Sequence, residues 1–191
     1  MRWLTGRGAA AALAVGVATI YGFGWRGLLL LLAFFVSGSL LSESTTRNER
    51  QVLANGGVAA LAALAGSWPG FAGALAAATA DTWASEIGRH SRTPPRLITN
   101  GRSVSAGTDG GITLLGTMGG VAGAGLMAVL AGLAHPGWFT AGVAVAGIVG
   151  MLADSLLGAT VQGKVRWMDN DAVNLAATLS GAVVALTVRF A

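Results

Sequence analysis

The chain has no cysteine, which excludes disulfides and cysteine-ligated zinc or iron–sulfur centres. Charge is scarce too: Asp, Glu, Lys and Arg make up 10% of the 191 residues, where a soluble domain carries about 25%. With 53% of the residues hydrophobic, that shortage defines an integral membrane protein. No Walker-type phosphate loop occurs, so a P-loop fold is excluded. Also missing are the aspartate clusters expected of intramembrane prenyltransferases and CDP-alcohol phosphotransferases. The net charge of +4 does not point to nucleic acid. Its basic residues lie in loops between apolar runs, as the positive-inside rule expects.

What is abundant is glycine, at 30 residues, with many alanines. Small residues let helices approach closely in lipid. The chain reads as an all-α, polytopic helix bundle of about seven transmembrane helices, forming a single integral membrane domain over residues 1–191. The apolar runs 8–23 and 27–42 follow a short basic start that resembles the n-region of a signal peptide. The second run follows almost at once, so a hairpin of two spans is expected, with one long broken helix as the other reading. Each run is shorter than the roughly 20 residues of a full span. Further helices are expected at about 51–66, 71–88, 110–133, 138–162 and 170–188, with a long loop at about 89–109. The glycine row of the fifth (Gly116, Gly119, Gly120, Gly123, Gly125) reads as a packing face, and His135 as a turn residue rather than a ligand.

With the N-terminus cytoplasmic, seven spans place Arg2, Arg7, Arg47, Arg50, Arg89, Arg92, Arg96, Arg102, Lys164 and Arg166 in the cytoplasm. Only Arg26 and Arg189 fall on the other side. The acids (Glu43, Glu49, Asp81, Glu86, Asp109, Asp154, Asp169, Asp171) lie on or near the same cytoplasmic face. Acids contribute little to topological sorting, so their one-sidedness calls for another cause. An active site at that face supplies it.

The densest polar stretch is 80–111, with Asp81, Glu86, Asp109, four arginines, and the turn Gly107-Thr108-Asp109-Gly110-Gly111. Ionisable groups inside a membrane helix are costly and by default mark function, although pairing with arginines for packing would also place them there. Ala80-Asp81-Thr82 is echoed by Ala153-Asp154-Ser155 in a helix of the same expected direction. Asn55, Asn100 and Asn174 are amides near the same face, where capping and turn formation also explain them. Carboxylates, arginines and a glycine turn at one membrane surface suit phosphate chemistry. Magnesium takes one or two carboxylates plus substrate phosphates, arginine forks onto phosphate oxygens, and glycine-turn amides at a helix start cradle anions.

Residues 80–88 (ADTWASEIG), Pro95-Arg96-Leu97-Ile98-Thr99, the 107–111 turn, Gly116-Thr117 and residues 154–162 (DSLLGATVQ) resemble the DUF92 family of integral membrane proteins. Residues 51–57 and 170–174 fit its pattern as well, so the likeness covers nearly the whole chain. One departure is Asp109, where a small residue is expected in the turn. The family includes a plant phytyl-phosphate kinase of tocopherol synthesis. The resemblance therefore implies a multi-pass protein of the cell membrane that moves a phosphoryl group from a nucleoside triphosphate, CTP by expectation, to an isoprenoid alcohol monophosphate such as phytyl or geranylgeranyl phosphate. It implies Mg2+ and catalytic roles for Asp81, Glu86 and Asp154. Substrate and nucleotide binding are expected at Asn55, Ser85, Arg89, Arg96, Arg102, Gly107, Thr108, Gly110, Gly111, Ser155, Gln162, Lys164 and Asn174. Partners are the lipid phosphate, the nucleotide and the membrane, with no nucleic acid. On an ideal helix Asp81 and Glu86 diverge, so each serves a different ligand unless the helix loosens. A small transporter or channel with buried acids, and a scaffold whose ion pairs serve packing alone, are the rival classes.

Overall fold

The computed structural model describes residues 3–42, 46–137 and 139–187. Arg2, Glu43, Trp138, Val188 and Arg189, which entered the expectations above, lie outside the described residues.

The protein is an all-α membrane bundle. Helix α1 (Gly6–Leu41) has 36 residues, and a straight helix of that length would reach about 54 Å. Instead it doubles back, because the Trp3 ring lies 5.8 Å from Phe35 and Gly8 and Gly38 both abut Arg47. The reversal sits at Gly24, with φ 60 and ψ −144, a conformation essentially reserved for glycine. The two apolar runs of the sequence are thus two helical legs joined at Gly24, the hairpin that their close spacing leads one to expect.

Helix α2 (Glu49–Leu64) starts with a reciprocal capping box between Asn48 and Gln51. Helix α3 (Trp68–Gly88) is capped by Ser67, with Pro69 in its first turn. A two-stranded antiparallel ribbon, β1 (Arg96–Leu97) and β2 (Gly111–Ile112), ties down the long loop, with Arg96 opposite Ile112. Helix α4 (Leu114–Ala134) follows, with the Thr113 hydroxyl accepting from the Gly116 N–H at 3.0 Å. Helices α5 (Thr140–Thr160) and α6 (Asn170–Thr187) complete the bundle. The first turn of α6 is held by Asp169, which accepts from the Ala172 N–H.

Among the described residues there are therefore five helices besides α1, and α1 itself comprises two helical legs joined at the non-helical Gly24, as the expected hairpin of the first two runs has it. Three of them (α1, α4 and α5) are long and apolar enough to cross a membrane. The helix expected from about residue 110 begins at Leu114. Gly111 is engaged in the ribbon and Gly110 has φ 71, so neither joins the helix.

Helix α3 is the axis, packing against α1, α2, α4, α5 and α6. Residues 70–80 are buried without interruption, because they are almost all Gly and Ala and their neighbours are equally small. Gly73 touches Gly181 and Ala185, Gly147 touches Ala124, and Gly120 touches both Met151 and the Ala80 carbonyl. A methyl group at any of these would separate the helices. The buried Thr79 hydroxyl is satisfied within α3, donating to the Leu75 carbonyl at 2.7 Å.

The two ends of the bundle differ in kind. One holds the Gly24 bend, the α2–α3 and α4–α5 connections, and interlocked rings of Phe23, Trp68, Phe71, His135 and Phe139. Three of these rings are buried, Trp68 at 4%, Phe71 at 0% and Phe139 at 5% exposed, and they pack the core at this end. His135 ends α4 there, stacked between Trp68 and Phe139. The other end gathers the starts of α1, α2, α4 and α6, the ends of α3 and α5, and the long loop.

Candidate functional site

At this second end a cavity of about 440 Å³ opens between the helix ends. Its floor is a pair of carboxyls. Asp81 on α3 and Asp154 on α5 meet within hydrogen-bonding reach, because α3 and α5 run in the same direction and each carries its Ala-Asp-hydroxyl triplet at one depth. The Asp154 Oδ2 atom is buried with no hydrogen-bond partner among the described residues. A buried acceptor without a donor is costly, so the pair is prepared for a cation or a donor from outside. Three-carboxylate or histidine-containing metal clusters are absent among the described residues. Magnesium bound with substrate phosphates needs only one or two carboxylates, so Asp81 and Asp154 fit such an ion.

Glu86 lies one turn beyond Asp81 on a different face, as the spacing anticipates. Its side chain is only 12% exposed and pairs with Arg89 at 3.0 Å. Across the cavity stands Arg47, from the short link between α1 and α2. Its guanidinium donates to the Ser39 hydroxyl at 2.7 Å and covers the Phe35 ring at 5.7 Å. The backbone around it is fixed from both sides: Thr5 N–H donates to the Arg47 carbonyl, and Arg47 N–H donates to the Trp3 carbonyl, each at 3.0 Å. Burial pulls the Arg47 guanidinium below the usual arginine value, and the nearby Glu86 carboxylate pushes it back up.

The roof is the 107–111 turn. It packs on α5, where a side chain on Gly110 would overlap Ala159 and the Ser155 carbonyl. Gly158 provides the matching recess beneath Asp109. The far wall is made of amides: Gln51 and Asn55 from α2, Asn170 and Asn174 from α6, and Gln162 from the end of α5. The Asn55 amide donates to the Gln51 carbonyl at 3.0 Å. Outside this wall Arg50 of α2 clasps Asp169 and Asp171 at the start of α6.

Of the residues singled out from the sequence, Asp81, Glu86, Asp154, Asn55, Ser85, Arg89, Gly107, Thr108, Gly110, Gly111, Ser155, Gln162 and Asn174 all line the cavity. Arg96, Arg102 and Lys164 do not. Arg96 donates to the Gly101 carbonyl at 2.9 Å within its own hairpin, and the Arg102 backbone is held by the Asn100 side chain. Lys164 caps α5, donating to the Ala159 and Thr160 carbonyls, as a cation at a helix C-terminus does. The glycine turn lies in a loop rather than at a helix start, and some of its donors are spent within it: the Thr108 N–H and hydroxyl donate to the Ser105 carbonyl, and the Gly111 N–H to the Thr108 carbonyl.

Sequence reasoning did not assign a site role to Arg47, which it counted only as a loop charge, nor to Thr113, Thr117 and Met151, which also line the cavity. One signal was present for Arg47: it sits in the connection preceding the amide-bearing helix.

Below the carboxyl pair the bundle is sealed. Ala72, Ala74, Leu75, Ala76, Ala77 and Ala80 are all 0% exposed. The architecture is that of an integral membrane bundle with a polar, one-ended pocket cut into a glycine- and alanine-packed body. The chain belongs to the family described as integral membrane protein DUF92, which matches residues 1–182. It is 37% identical to the uncharacterised membrane protein MJ0933 of Methanocaldococcus jannaschii, over 98% of this chain and 86% of that one. It is 32% identical to the uncharacterised membrane protein sll0875 of Synechocystis, over 97% of this chain and 83% of the relative. With the chloroplastic protein VTE6 of Arabidopsis thaliana the identity is 26%, over 97% of this chain and 65% of that protein. No solved structure matches.

Proposed function

We propose that this protein is a phosphotransferase of the cell membrane that converts an isoprenoid alcohol monophosphate to its diphosphate, with a nucleoside triphosphate, CTP by family likeness, as donor. The observation that carries the reading is the carboxyl pair Asp81–Asp154 sharing one cavity with Arg47, Arg89 and a glycine turn, at a single end of a membrane bundle. The positive-inside rule puts that end in the cytoplasm, where nucleotides are.

In the reaction an oxygen of the lipid monophosphate attacks the terminal phosphorus of the nucleotide. The bond to the bridging oxygen breaks, the nucleoside diphosphate leaves, and a lipid diphosphate remains. The attacking oxygen belongs to a phosphate whose second ionisation lies near pH 6, so it is already anionic at neutral pH. No general base is required, and the carboxyl pair is free for a different task. Asp81 and Asp154 would hold Mg2+, which when bound neutralises phosphate charge. Arg47 and Arg89 would receive the nonbridging phosphate oxygens, the 107–111 turn would cover the donor from above, and the amide wall would face the base or ribose. Glu86 orients Arg89 and tempers the charge on Arg47. Such chemistry relies on positioning and electrostatics, which a rigid pocket supplies.

A transporter would need a route to both faces, and the sealed alanine layer beneath Asp81 disfavours it. A packing scaffold would not leave a buried carboxylate oxygen without a partner. The test is direct: purified protein in lipid nanodiscs, geranylgeranyl monophosphate, Mg2+ and each of the four labelled ribonucleoside triphosphates. Labelled geranylgeranyl diphosphate is expected. Absence of transfer from all four, with phytyl monophosphate as second acceptor, would overturn the reading.

A further inference from the structure

Helices α4 and α5 touch along only part of their length. Toward the aromatic end they are in close contact, Gly147 on Ala124 and Met151 on Gly120. Above Met151 they part company. Gly116 turns to α3, meeting Gly88 and the Ala84 carbonyl, while Gly158 meets the 107–111 turn. The cavity fills the resulting wedge, with Gly116 and Thr117 on one side and Met151, Leu152 and Ser155 on the other. On their helices Thr117 and Leu152 stand on the flanks that turn from the core toward the outside.

Leu152 lines the cavity and is 39% exposed in all, on a helix whose neighbouring positions 149 and 156 are exposed as well. Around it the outer surface is apolar: Leu114, Met118, Val121, Val149 and Leu156 are exposed large hydrophobics, on the two helices that are themselves long and apolar enough to span. A cavity with a carboxyl pair on its floor therefore has a side wall that faces lipid.

We infer that the wedge between α4 and α5, bounded by Thr117, Met151 and Leu152, is a lateral portal through which the hydrocarbon chain of the lipid phosphate extends into the bilayer. This rests on the kinase reading for the identity of the occupant. The phosphate then lies beside Asp154 and Ser155, and the chain runs out over Leu152 without crossing the polar amide wall. The nucleotide approaches from the opposite lobe, between Arg47 and the amides of α2 and α6. The two anions meet at the carboxyl pair from different directions, which suits a displacement in which attacking and leaving oxygens stand in line.

The portal has a floor and a ceiling. Met151 against Gly120 closes it below, and the 107–111 turn seated on Ser155 and Ala159 closes it above. A chain anchored there contacts the wall with its first isoprene units only, the rest lying in lipid. Selectivity for the tail should therefore be strict near the phosphate and lax beyond it.

The first measurement is photo-crosslinking with a prenyl monophosphate carrying a diazirine in its first isoprene unit, on the full chain in nanodiscs. Adducts are expected on peptides containing Thr117 and Leu152, competed by geranylgeranyl monophosphate. Adducts spread over all lipid-facing helices, or concentrated on α1 and α2, would overturn the portal. This readout needs no turnover, so it stands even if no nucleotide proves to be a donor, and the two proposals fail separately. The second measurement is kinetic. Leu152→Trp should lower the ratio of kcat/KM for geranylgeranyl over dimethylallyl monophosphate by about tenfold or more, as a ring forced into a packed wall does. Leu133→Trp, at the far end of α4, should leave that ratio as in the parent protein. An unchanged ratio in Leu152→Trp would refute the portal.

Discussion

Replacing Arg47 tests the site most sharply, because no other cation is so firmly fixed in the cavity. Arg47→Ala removes the 2.7 Å bond to Ser39 and the cover over Phe35, but it also removes the cost of burying a guanidinium. Those terms oppose each other: about 1.5–3 kcal/mol for a charged hydrogen bond and about 0.5–2 kcal/mol for the ring contact, against desolvation of similar size. A net stability loss of about 1–2 kcal/mol is expected, small enough to leave the protein folded. Nucleotide use has no such compensation. One charge-assisted contact to phosphate, about 1.5–3 kcal/mol, corresponds to a loss of about 10–150-fold in kcat/KM for the donor. Arg47→Lys keeps the charge but loses the fork that serves Ser39 and a phosphate together, and should fall between. The assay varies nucleotide at saturating lipid, with thermal unfolding in detergent as the folding control. Arg96→Ala and Arg102→Ala, outside the cavity, should change the same quantity by less than about threefold. Losses at Arg96 or Arg102 equal to that at Arg47 would refute the argument, since the phosphates would then be held by the hairpin.

If the carboxyl pair holds Mg2+ as proposed, Asp81→Asn and Asp154→Asn should each lower turnover by about a hundredfold or more while leaving the thermal midpoint near that of the parent, because a ligand charge is lost with little change in volume; turnover and Mg2+ dependence measured together decide it. Gly110→Ala should destabilise by about 1–3 kcal/mol, since its positive φ and its contact with Ala159 both resist a methyl group, and calorimetry against Gly24→Ala separates the two causes. Gly24 has the unfavourable backbone but open space around it, so its cost should be about 1–2 kcal/mol from backbone strain alone. At the mouth, the Ala172 N–H first and then the Arg50 side chain hold the Asp169 carboxyl below its usual value of 3.8. Its contribution to stability is therefore present above that pH and is lost as the pH falls through the lowered value. The parent should lose more stability than Asp169→Asn on acidification from pH 5 to pH 2, as followed by circular dichroism; equal losses would remove Asp169 from the account.

The membrane class, the helical bundle and the polar end were legible because each rests on an average: hydrophobic runs, glycine content, one-sided arginines. Asp81 and Asp154 were legible for a related reason, being rare acids inside apolar runs with matching neighbours. The reversal of α1 was half visible, as two short runs separated by Gly24-Trp25-Arg26, but whether the chain would break or bend depends on one glycine dihedral that no periodicity records. Arg47 was hidden because a loop arginine in a membrane protein has a ready topological explanation. Only the tertiary contacts with Ser39, Phe35 and the residues before α1 distinguish it from Arg7 or Arg92. The separation of Arg96, Arg102 and Lys164 from the cavity was likewise not available. Arg96 spends a donor on the Gly101 carbonyl and Lys164 on the end of α5, and both partners are set by backbone geometry.

The bonds joining residues 3–5 to Arg47 have a consequence for biogenesis. Everything that holds this arginine in place (the start of α1, its second leg, the first turn of α2) is synthesised before α3 and α5 leave the ribosome. The contacts are short in sequence once the hairpin at Gly24 has closed, so they form early and locally. The arginine wall of the pocket is thereby built from the first two helical legs and the link after them, before the helices that carry Asp81 and Asp154 in the sequence.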